Sequence, residues 1–272
     1  MSIELKRSQL AKDYSSVTES PNSRATYEQL ARLYQRYHFA ARYVRGRRVL
    51  EVACGSGQGL GYIARSAQQI VGGDYTENLL NLAHAHYGRT IPLVRLDAHF
   101  LPFHRESFEV VLLLEAIYYL AQAEEFVAEC RRILTKEGIL VICTVNHDWS
   151  EFARSPFSTR YFSVPELKNL LVRQGFTHTE FFGAFPTTIH TLKHRLVSLL
   201  RRLVVVLNLV PRTLEGREIF KRIFYGKLVT LKPEVEDGMV ELYPVVPIPS
   251  DTINVDHKIV YVVASTSAKH SI

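Results

Sequence analysis

Between Glu51 and Gly61 the chain runs Glu-Val-Ala-Cys-Gly-Ser-Gly-Gln-Gly-Leu-Gly. A glycine at every second position brings backbone N–H groups against a ligand, because no Cβ blocks the approach. Acidic side chains then recur at Asp74, Asp97 and Glu115, each closing a short apolar stretch. Asp74 lies roughly 20 residues past the turn, where a carboxylate can accept hydrogen bonds from ribose hydroxyls. A dinucleotide fingerprint requires a third glycine three residues after the second, and Leu60 stands there instead. That residue speaks against a nicotinamide-dependent oxidoreductase, which stays open as an alternative beside a binding protein without catalysis. His84 and His86 sit two apart on a helical pattern, so they point about 200° from each other and cannot share a metal.

These groups need strands and helices to place them. Residues 48–53 read as a buried strand, and Leu60 to Ala67 as a short helix. Gln68 to Asp74, Pro92 to Ala98, Phe108 to Ala116 and Ile139 to Val145 are four further strands; the Phe108 strand is near-continuously apolar, like a central parallel strand. Thr26 with Gln29, and Ser163 with Glu166, are capping boxes that open helices. Apolar residues from Leu30 to Val44 and from Glu124 to Leu134 recur at helical spacing, with Gly46, Gly138 and Gly175 as stops. Tyr34, Tyr37 and His38 belong to the first of these stripes, as core residues or as a pocket wall. Strand and helix alternate five times or more, which predicts a doubly wound α/β fold. In such folds ligands gather at the carboxyl ends of the strands. A general base placed there must titrate near the working pH and reach the proton it removes. His147, after the fifth strand, is the first candidate, with Glu115, Tyr118 and Tyr119 around the same mouth.

The stretches Val-Leu-Glu-Val-Ala-Cys-Gly-Ser-Gly (49–57), Val-Gly-Gly-Asp-Tyr (71–75), Leu-Asp-Ala-His-Phe-Leu-Pro-Phe (96–103), Phe-Glu-Val-Val (108–111) and 129–140 resemble, in order, the class I S-adenosylmethionine-dependent methyltransferase family. The resemblance lies in its small-molecule, type 11-like branch and covers about residues 47–146. It implies a Rossmann-like sheet of seven strands with an antiparallel last strand, S-adenosylmethionine as cofactor, and methylation of oxygen or nitrogen on a small molecule such as a saccharide or secondary metabolite. It implies that Gly55 and Gly57 pass the methionine part, supported by Glu51 and Ala53. Asp74 would hold the ribose beside Tyr75, Asp97 the adenine amino group beside Ala98, and Glu115 would face the methionine end. Gly73 departs from the family, which has a larger apolar residue there. After the fourth strand, Glu115-Ala116-Ile117-Tyr118-Tyr119 replaces the Asn-Pro-Pro-Tyr motif of base-methylating relatives.

The chain has 272 residues, 47% of them hydrophobic, enough for one large domain. Its start lacks the apolar core of a signal peptide, and no apolar run approaches the ~20 residues of a membrane span. Cys54, Cys130 and Cys143 have no close-pair spacing, which fits a reducing cytoplasm without disulfides or metal. The expected organisation is a flexible arm (1–24), a methyltransferase domain (25–185 and 255–266) and a helical insertion (186–254). The net charge of +6 originates in the insertion, where 186–232 carries ten Lys and Arg against two Glu. Helical stripes run from Ile189 to Leu207 and through Ile219, Phe220, Ile223 and Phe224. Three readings stay open: docking on the domain or a second copy in a homodimer, paired with Glu234, Glu236, Asp237 and Glu241; a lid whose arginines hold a phosphate or carboxylate of the acceptor; or an anionic membrane surface that the protein meets peripherally. The basic stretch lacks the interleaved aromatics of a nucleic-acid groove.

Overall fold

A computed structural model describes residues 13–187 and 228–267. Its main sheet contains β1 (Arg48–Val52), β2 (Gln69–Asp74), β3 (Leu93–Arg95), β4 (Phe108–Leu114), β5 (Leu134–Val145), β6 (His178–Pro186) and β7 (His257–Ser265). Their order is β3-β2-β1-β4-β5-β7-β6, and Val246–Pro247 adds an eighth, two-residue edge to β6. The first five strands run parallel. β7 lies antiparallel between β5 and β6. This is the expected doubly wound sheet with its antiparallel last strand.

Alternation along the strands explains the double winding. In β4, Val110 and Leu112 enter one apolar core while Val111 and Leu113 enter the other. β7 repeats the pattern, with Tyr261 and Val263 on one side and Val260 and Val262 on the other. A sheet apolar on both faces must be covered on both. α1 (Tyr27–Ala41) and α2 (Leu60–Ala64) build the first cover; α4 (Ala123–Ile133) and α5 (Val164–Arg173) build the second, and α3 (Glu77–Tyr87) follows β2. Both capping boxes form, at Thr26 and at Ser163.

Several boundaries differ from the sequence expectation. α4 ends at Ile133 and the chain passes directly into β5, so Gly138 lies inside a strand rather than stopping a helix. The register between β4 and β5 shifts there: Phe108 faces Leu134 but Val110 faces Ile139. At Gly73, where the resemblance implies a larger apolar residue, the Leu96 side chain lies 2.3 Å from where a Cβ would stand, so a larger residue requires Leu96 to move.

Residues 13–24, expected as a loose arm, pack onto the domain. Asp13 accepts from the Asn78 amide at 2.8 Å, and Arg24–Ala25 pair with Val229–Thr230. Lys232 and Val235, within the expected insertion, meet the glycine turn. There the Gln58 side-chain amide donates to the Lys232 carbonyl and the Gln58 backbone carbonyl accepts from Val235 N–H, both at 2.7 Å. Of the acids expected to pair with the basic stretch 186–232, one does so at its end and two meet the domain. Glu234 meets His86 at 3.1 Å, Asp237 meets Arg65 at 3.0 Å and accepts from Tyr62 at 2.8 Å, and Glu236 binds Lys232. The two predicted insertion helices lie outside the described residues. Among the described residues no helix is long and apolar enough to cross a membrane.

Gly59, ahead of α2, is required by a close approach: a Cβ there would stand 1.9 Å from the Tyr37 ring. Tyr37 is buried, and its hydroxyl donates to Glu51 at 2.7 Å. Gly59→Ala should therefore destabilise the protein by about 1–3 kcal/mol, because overpacking forces a buried ring aside. A lower urea midpoint at unchanged slope is the expected reading. An unchanged midpoint would mean that the ring has room to yield.

Candidate functional site

The carboxyl ends of β1, β2 and β4 open onto a cavity of about 310 Å³. The turn after β1 is held in a shape that side chains resist: Gly55 has φ +58° and Gly57 φ +77°. Gly55 N–H donates to Asp74 at 2.8 Å, and the other oxygen of that carboxylate accepts from Thr76 N–H at 2.8 Å. One carboxylate thus joins the ends of two strands to the first turn of α3. Burial raises the Asp74 pKa, opposed by the backbone N–H groups of Thr76 and Gly55.

Of the residues expected at the cofactor, Ala53, Gly55, Asp74 and Tyr75 line the cavity at the turn, and Asp97 and Ala98 line it further along. Gly57 does not line it. Its carbonyl accepts from Tyr87 at 2.8 Å, so it fastens the turn to α3. Glu51 lies one layer below, wholly buried, with Tyr37 bonded to one oxygen and the other without a partner. Asp97 accepts from His99 through both backbone N–H at 2.9 Å and ring Nδ1 at 2.6 Å. His99 Nε2 in turn accepts from Gln122 N–H at 3.3 Å, which assigns the ring proton to Nδ1.

At the other end of the cavity stands Glu115, in the left-handed region at φ +60° despite its side chain. Tyr118 donates to one carboxylate oxygen at 3.1 Å and the Cys143 thiol to the other at 3.5 Å. Burial raises the Glu115 pKa, and the charges of Arg36 and Arg32 oppose that rise. Tyr118 and Tyr119 also line the cavity. His147 does not: its ring stacks on Tyr161 with centroids 6.4 Å apart, and Tyr161 stacks on Tyr118 at 4.9 Å. His147 thus stands behind Tyr118 and Tyr161, while Glu115, expected at the same mouth, lines the cavity.

Other wall residues were not anticipated. Tyr14, Thr18 and Glu19 cover the turn from the N-terminal side; the Thr18 methyl lies 2.9 Å from where a Cβ on Gly55 would be. Gln29, Arg32 and Arg36 form a polar row on α1 at i, i+3 and i+7. Arg36 has a charge contact with Glu19 at 2.9 Å, and its Nε is buried without a hydrogen-bond partner. Tyr37 lines the cavity, whereas Tyr34 and His38 pack around Tyr62. The spacing of the α1 row was visible in the sequence, but a polar helix face ordinarily meets water. Among the described residues no cluster of ligating side chains could hold a metal.

Residues 50–142 match the methyltransferase domain family. A protein named probable S-adenosylmethionine-dependent methyltransferase from Mycobacterium tuberculosis is 33% identical over 143 residues, covering 51% of this chain and 52% of that one. A ubiquinone biosynthesis O-methyltransferase from Mesorhizobium japonicum is 33% identical over 122 residues, covering 44% and 49%. The chain spans about half the length of these relatives. Among solved structures, a SAM-dependent methyltransferase from Thermotoga maritima superposes over 89% of this chain and 94% of its own, with a TM-score of 0.53 at 16% identity, which shows a shared fold. The strand order, the glycine turn and the family match together define a class I S-adenosylmethionine-dependent methyltransferase domain. The match lies in residues 50–142 and is to the branch the type 11 domain represents.

The cofactor of the family is S-adenosylmethionine, and the residues present fit it. The Gly55 turn leaves room for close backbone approach. Asp74 and Asp97 offer carboxylates for ribose and adenine donors, and the Arg36 guanidinium, with its buried Nε unpartnered, is suited to a carboxylate.

Burial pushes Glu51 from 4.5 up to about 7, although the Tyr37 hydroxyl and the Arg36 charge pull the other way. Between those values the folded protein keeps a proton that the unfolded chain has released, so stability falls as pH rises across the window. The loss amounts to about 3 kcal/mol at roughly 1.4 kcal/mol per pH unit. Glu51→Gln removes this dependence, so urea denaturation should show the variant gaining on the wild type from pH 5 to 7. A constant difference would mean that Glu51 is ionised in the folded state.

Proposed function

We propose that the protein transfers a methyl group from S-adenosylmethionine to an oxygen or nitrogen of a small molecule. The observation that carries this reading is the continuity of the cavity. It runs from Asp97 and Ala98 past Gly55 and Asp74 to Glu115, so a donor site and an acceptor site share one wall. The bound cofactor supplies an electrophilic methyl on a sulfonium, which leaves as S-adenosylhomocysteine. The protein's own contribution is placement, because in-line alignment alone supplies a large part of the rate. Glu115 is suited to take the proton released by the acceptor. Its raised pKa brings it toward the working pH, and Tyr118 and Cys143 fix its orientation.

Oxygen is the atom suggested by the name of the Mesorhizobium relative, and a saccharide or other product of secondary biosynthesis is the acceptor class that the family resemblance brings. Cytoplasmic residence accords with three cysteines that are all buried and unpaired.

Calorimetry with S-adenosylhomocysteine and with NADPH separates this reading from an oxidoreductase: the first should bind and the second should not. Transfer of a labelled methyl to an acceptor pool separates it from a binding protein. Asp74→Ala should weaken S-adenosylhomocysteine binding by about 1–3 kcal/mol, the usual cost of losing a charged hydrogen bond. Unchanged affinity would remove Asp74 from the site. Glu115→Gln should lower kcat by about 100-fold or more while the cofactor Kd changes little. Full turnover in that variant would mean that the acceptor needs no base from Glu115.

A further inference from the structure

Beyond the donor end, the cavity wall on α1 is cationic in a way that its own partners do not balance. Arg32 lines the cavity and is only 25% exposed, and it bonds Glu28 one turn earlier on the helix at 2.5 Å. That carboxylate is already shared: Lys258 approaches it at 2.9 Å, with its ammonium 5.3 Å above the Trp149 ring. Two cations therefore lean on one carboxylate. The next arginine on the same face, Arg36, has Glu19 as its own counter-ion. Gln29 lines the wall beside Arg32 with its carbonyl oxygen used by Thr26 N–H in the capping box, which leaves its NH2 group for a ligand.

A half-buried guanidinium keeps a strong preference for a further anion, because charge-assisted and bidentate hydrogen bonds are the strongest polar contacts available to it. Glu19, the partner of Arg36, and Glu115 are the carboxylates near this part of the wall among the described residues. Arg32's charge is felt at the latter. Glu115 is already fastened by Tyr118 and Cys143 and does not bond to Arg32.

We infer that the methyl acceptor carries an anionic group, a carboxylate or a phosphate, which Arg32 holds at the cavity mouth with Gln29 beside it. This rests on the methyltransferase reading and names the class of its second substrate. Such a contact would orient the acceptor with its nucleophile toward Glu115, one helical face away from the methyl donor. It assigns anion recognition to α1, not to the arginines of the insertion.

The test uses the full chain saturated with S-adenosylhomocysteine and three probes of matched shape: 4-hydroxybenzoate, 4-hydroxyphenyl phosphate and the uncharged 4-hydroxybenzamide. Binding is followed by NMR line broadening and calorimetry at millimolar probe. At least one anionic probe should bind about tenfold or more tightly than the amide, the two anions distinguishing a carboxylate site from a phosphate site. Arg32→Gln should abolish that preference and Arg32→Lys restore part of it, with S-adenosylhomocysteine affinity unchanged in both. Equal binding of all three probes, no binding by any, or a preference that survives in Arg32→Gln would overturn the inference while leaving the cofactor reading intact. Failure of the wild type to bind S-adenosylhomocysteine would instead overturn the methyltransferase reading itself.

Discussion

One carboxylate organises the ligand end of this molecule. Asp74 accepts from Gly55 N–H and from Thr76 N–H, so the turn after β1 and the first turn of α3 are built around the end of β2. The arrangement follows from the sheet. Parallel neighbours bring β1 and β2 to the same edge, and every strand end there leaves backbone groups that must find partners. A buried acid is costly unless its lone pairs are used, and two N–H groups use them. The geometry that satisfies Asp74 also holds Gly55 where a ligand can meet the backbone.

The same economy recurs below and beside the turn. Glu51 occupies a fully buried position, with Tyr37 as its donor, and Gly59 leaves the space the Tyr37 ring needs. The four glycines that look alike in the chain therefore have different tasks. Gly55 faces the cavity, Gly57 fastens the turn to Tyr87, Gly59 admits Tyr37, and Gly61 lies under the Glu234 carboxylate. At the other end Glu115 combines a left-handed backbone with a buried carboxylate that two side chains orient. Strain and desolvation at one residue are costs that packing elsewhere must offset, and they coincide here with the end of the cavity where an acceptor would meet the donor.

Residues 13–24 show how a segment of ordinary composition acquires a role. Nothing in their polar, mixed-charge pattern distinguishes them from a loose terminus. In the fold Tyr14 lies against Tyr75 and Tyr119, Glu19 meets Arg36, and the chain joins Val229–Thr230 through a two-residue ladder. The glycine-turn end of the cavity is thereby roofed by Tyr14, Thr18 and Glu19, and the segment that carries them is tied at Arg24–Ala25 to Val229–Thr230.

Local order was legible without coordinates. Alternating and helical hydrophobic periods, two capping boxes and the glycine turn determined the α/β class. Acids at successive strand ends marked the edge where the cavity lies, because neighbouring strand ends in a parallel sheet share one edge. What the tertiary structure alone decided is which polar side chains meet there. Arg32 and Arg36 stand on the polar side of α1, about which the helical period says nothing further, and packing turns that side onto the cavity. His147 read as a base at the mouth, but the fold interposes Tyr161 and Tyr118 between its ring and the cavity. Periodicity reports which face of an element is apolar; whether the polar face meets water or a ligand depends on what the rest of the chain packs opposite it.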